Sequence, residues 1–406
     1  MGNTKLFYKS ANRRYIMSKA IMIGAGQIGR GFIGMELEKA GYHVLFADVN
    51  RAVIDDINTR GEYTVHMVDD ECIDTVVKNI SAVYSLDPDF PRVFADSEVS
   101  LVCTSVGQSA LAKVAPAIAE GIIKRMEAGI SAPMNIIAVE NAIGGTSQLK
   151  GHIYGHLNES AKRYADEHIG FPNSAVDRII PVNKAGTNAG DVTVEKYFEW
   201  DVEKNSLKAE ILPVVGLDLV DDLTAYLERK LFTLNGPNAV TACYGYLKGY
   251  STIKEALEDK EIYDVVWAMM EECGAMLEKR HGFTAGQMLA YRTKLMQRFL
   301  NPYIIDSVTR VAREPERKLS PNDRIIAPMN LAHEYRIETP AYYTGIAAVL
   351  LYNNPEDEQS VKMQQLISEK GAAAALTEIC GIVSDSRVIG EVEKEYARLM
   401  TLRQRP

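Results

Sequence analysis

Residues 20–48, AIMIGAGQIGRGFIGMELEKAGYHVLFAD, constrain the fold more than any other stretch of the chain. The apolar run Ala20 to Ile23 has the length and composition of a parallel strand buried on both faces. Gly24, Gly26 and Gly29 follow it as G-x-G-x-x-G. In that spacing the first glycine permits a tight turn, the second lets the backbone approach a pyrophosphate, and the third lets the next helix pack closely on the strand. Gln27 and Ile28 open that helix, whose first N–H groups have no intrahelical partners and form a seat for phosphate. The helix is predicted from Gln27 to Lys39, with Gly41 ending it, and a second strand from His43 to Ala47 delivers Asp48. A carboxylate at that point bonds the adenine ribose hydroxyls, and its charge opposes a ribose 2′-phosphate, so the unit predicts NAD over NADP. Arg51 is close enough to weaken that preference. The glycines alone also fit a tolerant turn in another α/β sheet; strand, helix, strand and terminal acid together argue for a dinucleotide site.

The 406 residues suffice for two domains with separate cores. A formal net charge of −9 argues against a broad polyanion-binding face, so nucleic acid is not an expected partner, although a local cation cluster can hold one small phosphate. The cysteines Cys72, Cys103, Cys243, Cys273 and Cys380 are scattered without metal-ligand spacing and read as reduced thiols of a cytoplasmic protein. His152 and His156 are four apart, but the residues between them do not form a metal motif, and no metal is predicted. No apolar run is long enough for a membrane span. Residues 1–19 lack the apolar core of a secretory signal and read as an N-terminal extension, with Met17 as a possible shorter start.

Farther along, Arg51 to Thr59 reads as a helix, and Tyr63 to Val68 and Cys72 to Ile80 as strands inserted into or added antiparallel to the sheet. The acidic strip Asp69, Asp70 and Glu71 reads as a solvated turn. Val99 begins another parallel strand, ending in the loop Ser105 to Gln108, where Val106 is placed to close over the nicotinamide half of the cofactor. A helix from Leu111 to Ala128 leads to a strand from Asn135 to Val139, which presents Glu140 and Asn141 to the same crevice. A helix over Ser147 to Glu167 is predicted next. In FPNSAVDRIIPV, residues 171–182, the Asn173 amide is available to a substrate oxygen, and Asp177 and Arg178 are expected to fix the loop by an ion pair. Val192 to Glu199 is strand-like. Beyond residue 205 the pattern turns helical: Leu219 to Thr233, Val240 to Leu247, Ile253 to Asp259, Ile262 to Arg280, Ala285 to Phe299, Ser307 to Ala312, Ala341 to Tyr352, Ser360 to Glu369 and Ala372 to Cys380. The fold class is therefore α/β: a Rossmann-like dinucleotide domain over 20–205 and a mainly α-helical substrate and catalytic domain over 206–406. No dimer stripe stands out, and the expectation is a monomer or weak homo-oligomer.

In LTAYLERKLFTLNGPN, residues 223–238, Lys230 and Asn235 flank an apolar stretch, and Gly236–Pro237 is predicted to break the helix. Lys230 can be read as a surface lysine in the charged run 228–230, or as an amine whose pKa is lowered by desolvation so that it passes a proton near neutrality.

The motifs GAGQIGRGFIG (24–34), FADVN (46–50), NIIAVEN (135–141), QLKGH (148–152), FPNSAVDRI (171–179), ERKLFTLN (228–235), RFLNPY (298–303) and RKLSPNDR (317–324) resemble the polyol-specific long-chain dehydrogenases, most closely their sugar-phosphate branch. The resemblance covers the chain from about residue 20 nearly to its end. It implies a metal-independent, NAD-linked interconversion of D-mannitol 1-phosphate and D-fructose 6-phosphate, partners that are small sugar and polyol phosphates. It puts Lys230 on the family's catalytic lysine and Asn173 and Asn235 on asparagines that bind the reacting oxygen. Asn238 stands where the family usually has histidine; an amide can hydrogen-bond the substrate but cannot take up a proton near pH 7. Lys204, Arg310, Arg313, Arg317 and Lys318 are cations available to a phosphate, with Arg310 and Lys318 favoured by family position for the substrate pocket. Fructuronate, tagaturonate or an unphosphorylated ketose such as fructose are the alternative substrates, and a weakly catalytic NAD-sensing protein is the alternative of another class.

Overall fold

Short apolar runs separated by helices predict parallel strands covered on both faces. In the computed structural model, which describes residues 18–69, 72–140, 142–180, 188–383 and 387–403, the strands are β1 (Lys19–Ile23), β2 (His43–Asp48), β3 (Tyr63–Val68), β4 (Ile73–Val77), β5 (Ile80–Tyr84), β6 (Val99–Thr104), β7 (Met134–Ala138), β8 (Ile169–Gly170), β9 (Ser174–Asp177), β10 (Val192–Glu195), β11 (Glu199–Glu203) and β12 (Leu217–Val220). Six of them form one parallel sheet in the order β5-β2-β1-β6-β7-β8. In β1, Ala20 and Met22 join one core while Ile21 and Ile23 join another, which accounts for the unbroken apolar run. The strand order reverses beside β1, so the carboxyl ends of β1, β2 and β6 flank a crevice.

Two smaller sheets complete this half. β10 pairs parallel with β3, which pairs antiparallel with β4. β11 lies between β9 and β12, antiparallel to the first and parallel to the second. The run expected as one strand over Cys72 to Ile80 thus divides, and its end begins β5 of the main sheet. The predicted helix over Ser147 to Glu167 is two helices, Gly145–Tyr154 and Glu159–His168. Gly155 ends the first, and Asn158 caps the second by accepting the Ala161 N–H at 2.9 Å. Residues 217–220 are β12 rather than the start of a helix.

From Leu223 onward the described regular elements are helical. Pro340–Leu350 is their centre, buried over every residue from Ala341 to Leu350. The helices Gly236–Lys248, Lys260–His281 and Arg387–Arg403 pack on it. Helices Pro315–Lys318, Ile326–Glu334 and Arg387–Arg403 were not anticipated. The predicted break at Gly236–Pro237 does not occur. Backbone angles stay helical through Lys230, Asn235 and Gly236, because residues Lys230–Asn235 form a π-helical turn in which the Gly236 N–H reaches Leu231 O, five residues back. A widened turn accommodates a proline that lacks an N–H and would crowd the carbonyl four residues earlier.

Candidate active site

The glycine turn has the predicted shape. Gly24 has φ +99°, and a Cβ there would lie 2.5 Å from Ser105 O; a Cβ on Gly29 would lie 1.9 Å from Gly24 O. Gly26 is exposed and nothing lies within 4 Å of where its Cβ would be, so a ligand can approach its backbone. Behind this turn the helix is π-helical over Gly29–Gly34. Gln27 is exposed, and Ile28 lines the cavity that holds Lys230. Asp48 accepts the Ala25 N–H at 2.5 Å and the Asn50 N–H at 2.8 Å, which ties the end of β2 to the glycine turn and leaves lone pairs for ribose hydroxyls. The Arg51 guanidinium stacks 3.8 Å above the ring of Tyr84, the neighbour of Asp48 across β2 and β5.

Glu140 directs its buried carboxylate to the loop after β6, accepting the N–H groups of Val106 at 2.9 Å and Gly107 at 2.8 Å and the Thr104 hydroxyl at 3.1 Å. Burial raises its pKa, and the two N–H donors partly oppose that shift. Its observed part is to fix Val106 over Gly24, whose Cβ position lies 3.1 Å from Val106 Cγ1. Asn141 lies outside the described residues.

Lys230 sits in a wall shared by two cavities of about 570 and 760 Å³. Asn235, Val176, Arg317 and Arg324 line both, and Asn238, Arg310 and Lys318 line the first. The π-turn explains how these side chains meet. In an α-helix residues five apart point roughly 140° away from one another; a turn closed five residues back returns Asn235 to the side of Lys230. Three residues of α-helix then keep Asn238 near the same face. Lys230 Nζ donates to Val176 O at 2.6 Å. Desolvation lowers its pKa, Asp177 and Glu199 oppose this, and Arg298 and Arg324 reinforce it. The side-chain oxygen of Asn238 is buried with no protein partner.

The other expected site residues divide. Arg310 is bound through two nitrogens to Asp306 and reaches the cavity. Lys318 donates to the carbonyls of Val311, at 2.7 Å, and Arg313, and burial pushes its pKa down to about 8. Lys204 is exposed and lines neither cavity. Asn173 also lines neither; its oxygen accepts the Ser147 N–H at 3.0 Å and its nitrogen donates to Ser147 Oγ at 2.9 Å. Its chain neighbour Ser174 lines the second cavity. Asp177 and Arg178 do not pair with each other: Asp177 pairs with Arg298 at 2.6 Å, and Arg178 donates to Glu195 O at 2.9 and 2.7 Å.

Sequence reasoning misses Arg298 and Arg324, and Arg317, which it does not favour over Arg310 and Lys318, lines both cavities. Arg298 could have been found, since it follows Met288, Tyr291 and Leu295 along the buried stripe of helix Ala285–Phe299. Arg324 lies before a helix the sequence pattern did not reveal. Among the described residues, no group of three or more His, Cys, Asp or Glu is placed to hold a metal ion.

Two sequence profiles match the chain: the mannitol dehydrogenase Rossmann domain over residues 18–215 and the mannitol dehydrogenase C-terminal domain over residues 222–400. Among solved structures it is similar to Pseudomonas fluorescens mannitol 2-dehydrogenase in ternary complex with NAD and D-mannitol, at 19% identity, TM-score 0.71, over 95% of this chain and 94% of that one. It is also similar to a D-sorbitol dehydrogenase in substrate-free form, at 15% identity, TM-score 0.81, over 96% and 94%. At these identities the likeness speaks to the fold.

Proposed function

The chain belongs to the mannitol dehydrogenase family, and we propose that within this group of NAD-dependent polyol oxidoreductases it is a mannitol-1-phosphate 5-dehydrogenase, interconverting D-mannitol 1-phosphate and D-fructose 6-phosphate. The observation that carries the proposal is the company Lys230 keeps. The first cavity is lined by six cationic residues, Lys230 among them, and two acidic ones, Asp177 and Asp306. A low-dielectric cleft with that excess favours an anionic substrate.

The residues present suit NAD: an open Gly26, a turn with no room for a side chain at Gly24 or Gly29, and an acid at the end of β2. When bound, NAD would supply the hydride acceptor or donor. The chain's own residues handle the proton and the charge. In polyol oxidation neutral Lys230 takes the proton of the C5 hydroxyl; in ketose reduction its ammonium form gives that proton to the C2 carbonyl oxygen. Asn235, on the same face, donates to that oxygen as negative charge develops on it. Asn238 offers an amide to a neighbouring hydroxyl, and Arg310, Arg317, Lys318 and Arg324 are the cations available to the distant phosphate. Asn173 has no part in this proposal.

A second reading, an unphosphorylated polyol or ketose, is favoured by the partners these cations already have, such as Asp323 at 2.7 Å from Arg324. Initial rates with NADH separate the two. Fructose 6-phosphate should be reduced with a kcat/KM far above those of fructose, fructuronate and tagaturonate, and alanine at Arg324 or Lys318 should raise its KM more than that of fructose. Equal use of fructose and fructose 6-phosphate would establish the second reading.

A further inference from the structure

Behind Lys230 lies a buried charge cluster with no direct part in the proton transfer. Asp177 ends β9 and lines the cavity, one residue beyond the Val176 carbonyl that accepts from Lys230. Its carboxylate is held by Arg298, which is 5% exposed and does not line the cavity. Arg298 Nη1 donates to Asp177 Oδ2 at 2.6 Å and Nη2 to Oδ1 at 3.3 Å. The same guanidinium donates from Nε and Nη2 to Glu195 of β10 at 3.0 and 2.7 Å. One buried cation thus serves two buried carboxylates, and only one of them faces Lys230.

That sharing matters because a carboxylate near a desolvated lysine favours the ammonium form, whereas a guanidinium close behind it opposes that effect. We infer that Arg298 is a positioning residue for proton transfer: by dividing its charge between Asp177 and Glu195 it sets how much negative charge Lys230 feels. After burial, Asp177 and Arg298 act most strongly on Lys230, in opposite senses, followed by Glu199 and Arg324. Those last two have counter-charges of their own, Glu199 in Arg229 at 2.6 Å and Arg324 in Asp323 at 2.7 Å. Burial pushes Asp177 up, and Arg298, with Lys230 behind it, more than offsets this and leaves the carboxyl below its ordinary value. The inference rests on the reading of Lys230 as the proton-transfer residue, but its test does not depend on turnover.

The test is competitive labelling of Lys230 with acetic anhydride across pH, read by mass spectrometry, in the full-length protein and its variants. Arg298→Met should move the labelling midpoint up by about one pH unit, a tenfold fall in the neutral fraction at fixed pH. Asp177→Asn should move it down. Glu195→Gln, which leaves the whole guanidinium to Asp177, should also move it down, and this variant keeps the test alive if Arg298→Met does not fold. Arg298→Lys should stay near the wild type. The acid limb of polyol oxidation should shift with each midpoint while NADH affinity stays constant. Midpoints that do not move in Arg298→Met and Glu195→Gln, or that move the same way in both, overturn the inference. Midpoints that move as stated in a protein that turns over no polyol or ketose uphold it and overturn the proposed function instead.

Discussion

Asp48 stands for what one side chain both holds and selects. Its carboxylate accepts the Ala25 N–H at the glycine turn, and with a dinucleotide bound there, as we propose, its charge would oppose a 2′-phosphate at the ribose. Asp48→Ala removes both effects, so kcat/KM for NADH should fall by roughly 10- to 100-fold, the scale of losing a hydrogen bond to a charged group. The ratio of NADPH to NADH use should rise at the same time. Paired kinetics with the two cofactors read the outcome; an unchanged ratio would give selectivity to another group, with Arg51 over Tyr84 the nearest. At this scale the sequence is informative where a residue's chemistry is local: Gly24, Gly26, Gly29 and Asp48 follow from spacing and neighbours, whereas spacing alone leaves Lys230 open between a surface lysine and a desolvated amine, and its role comes from the family resemblance. Asn173 and Lys204 line neither cavity at Lys230, and their positions depend on where β9 and β11 lie in a small sheet that periodicity does not reveal. Glu140, expected in the crevice because it ends a strand, does line the second cavity with Lys230, and its carboxylate also accepts the loop N–H groups of Val106 and Gly107.

Among the elements, the π-turn Lys230–Asn235 is the most consequential, and a sequence reading misplaces it because glycine followed by proline ordinarily signals a stop. Here the pair marks close packing. A Cβ on Gly236 would stand 2.3 Å from the Arg324 carbonyl oxygen, so the start of helix Gly236–Lys248 presses on the backbone that carries Arg324 into both cavities. Gly236→Ala should cost about 1–3 kcal/mol of stability as an overpacking change and raise the KM for the phosphorylated substrate, measured by denaturant unfolding and initial rates. Normal stability with normal KM would show that the contact yields freely. A second element prediction concerns Glu272, which accepts the Ala341 N–H at 3.0 Å at the start of helix Pro340–Leu350 while its other oxygen is buried without a protein partner. Burial pushes this carboxyl up to about 7, against roughly 4.3 in an unfolded chain. The folded state therefore holds the proton more tightly, and the resulting stability is present at low pH and lost as pH rises through about 7. Glu272→Gln should lack that slope and have a higher Tm than the wild type at pH 8; a difference in Tm that does not vary with pH would contradict the assignment.

For the molecule as a whole, the α/β half and the helical half meet at Lys230. The sheet half contributes Ile28, beside the glycine turn, with Val176, Asp177 and Arg178; the helical half contributes Lys230, Asn235, Asn238, Arg310, Arg317, Lys318 and Arg324. The two-part order of the chain was readable because the hydrophobic period changes along it. Their meeting was not, because long-range contacts such as Arg298 with Asp177 and Glu195 leave no local period. Among the described residues, no helix is long and apolar enough to cross a membrane. If Lys230 moves the hydroxyl proton of the carbinol being oxidised, as proposed, the pH dependence of mannitol 1-phosphate oxidation in wild type and Lys230→Ala, with chemistry shown to limit the rate, will show it. The wild-type rate should rise as Lys230 becomes neutral, and the alanine variant should have a kcat lower by roughly 10²- to 10⁴-fold, without that limb and with NADH binding little changed. Near-normal turnover in the variant, with the limb still present, would contradict it and assign the proton to another group.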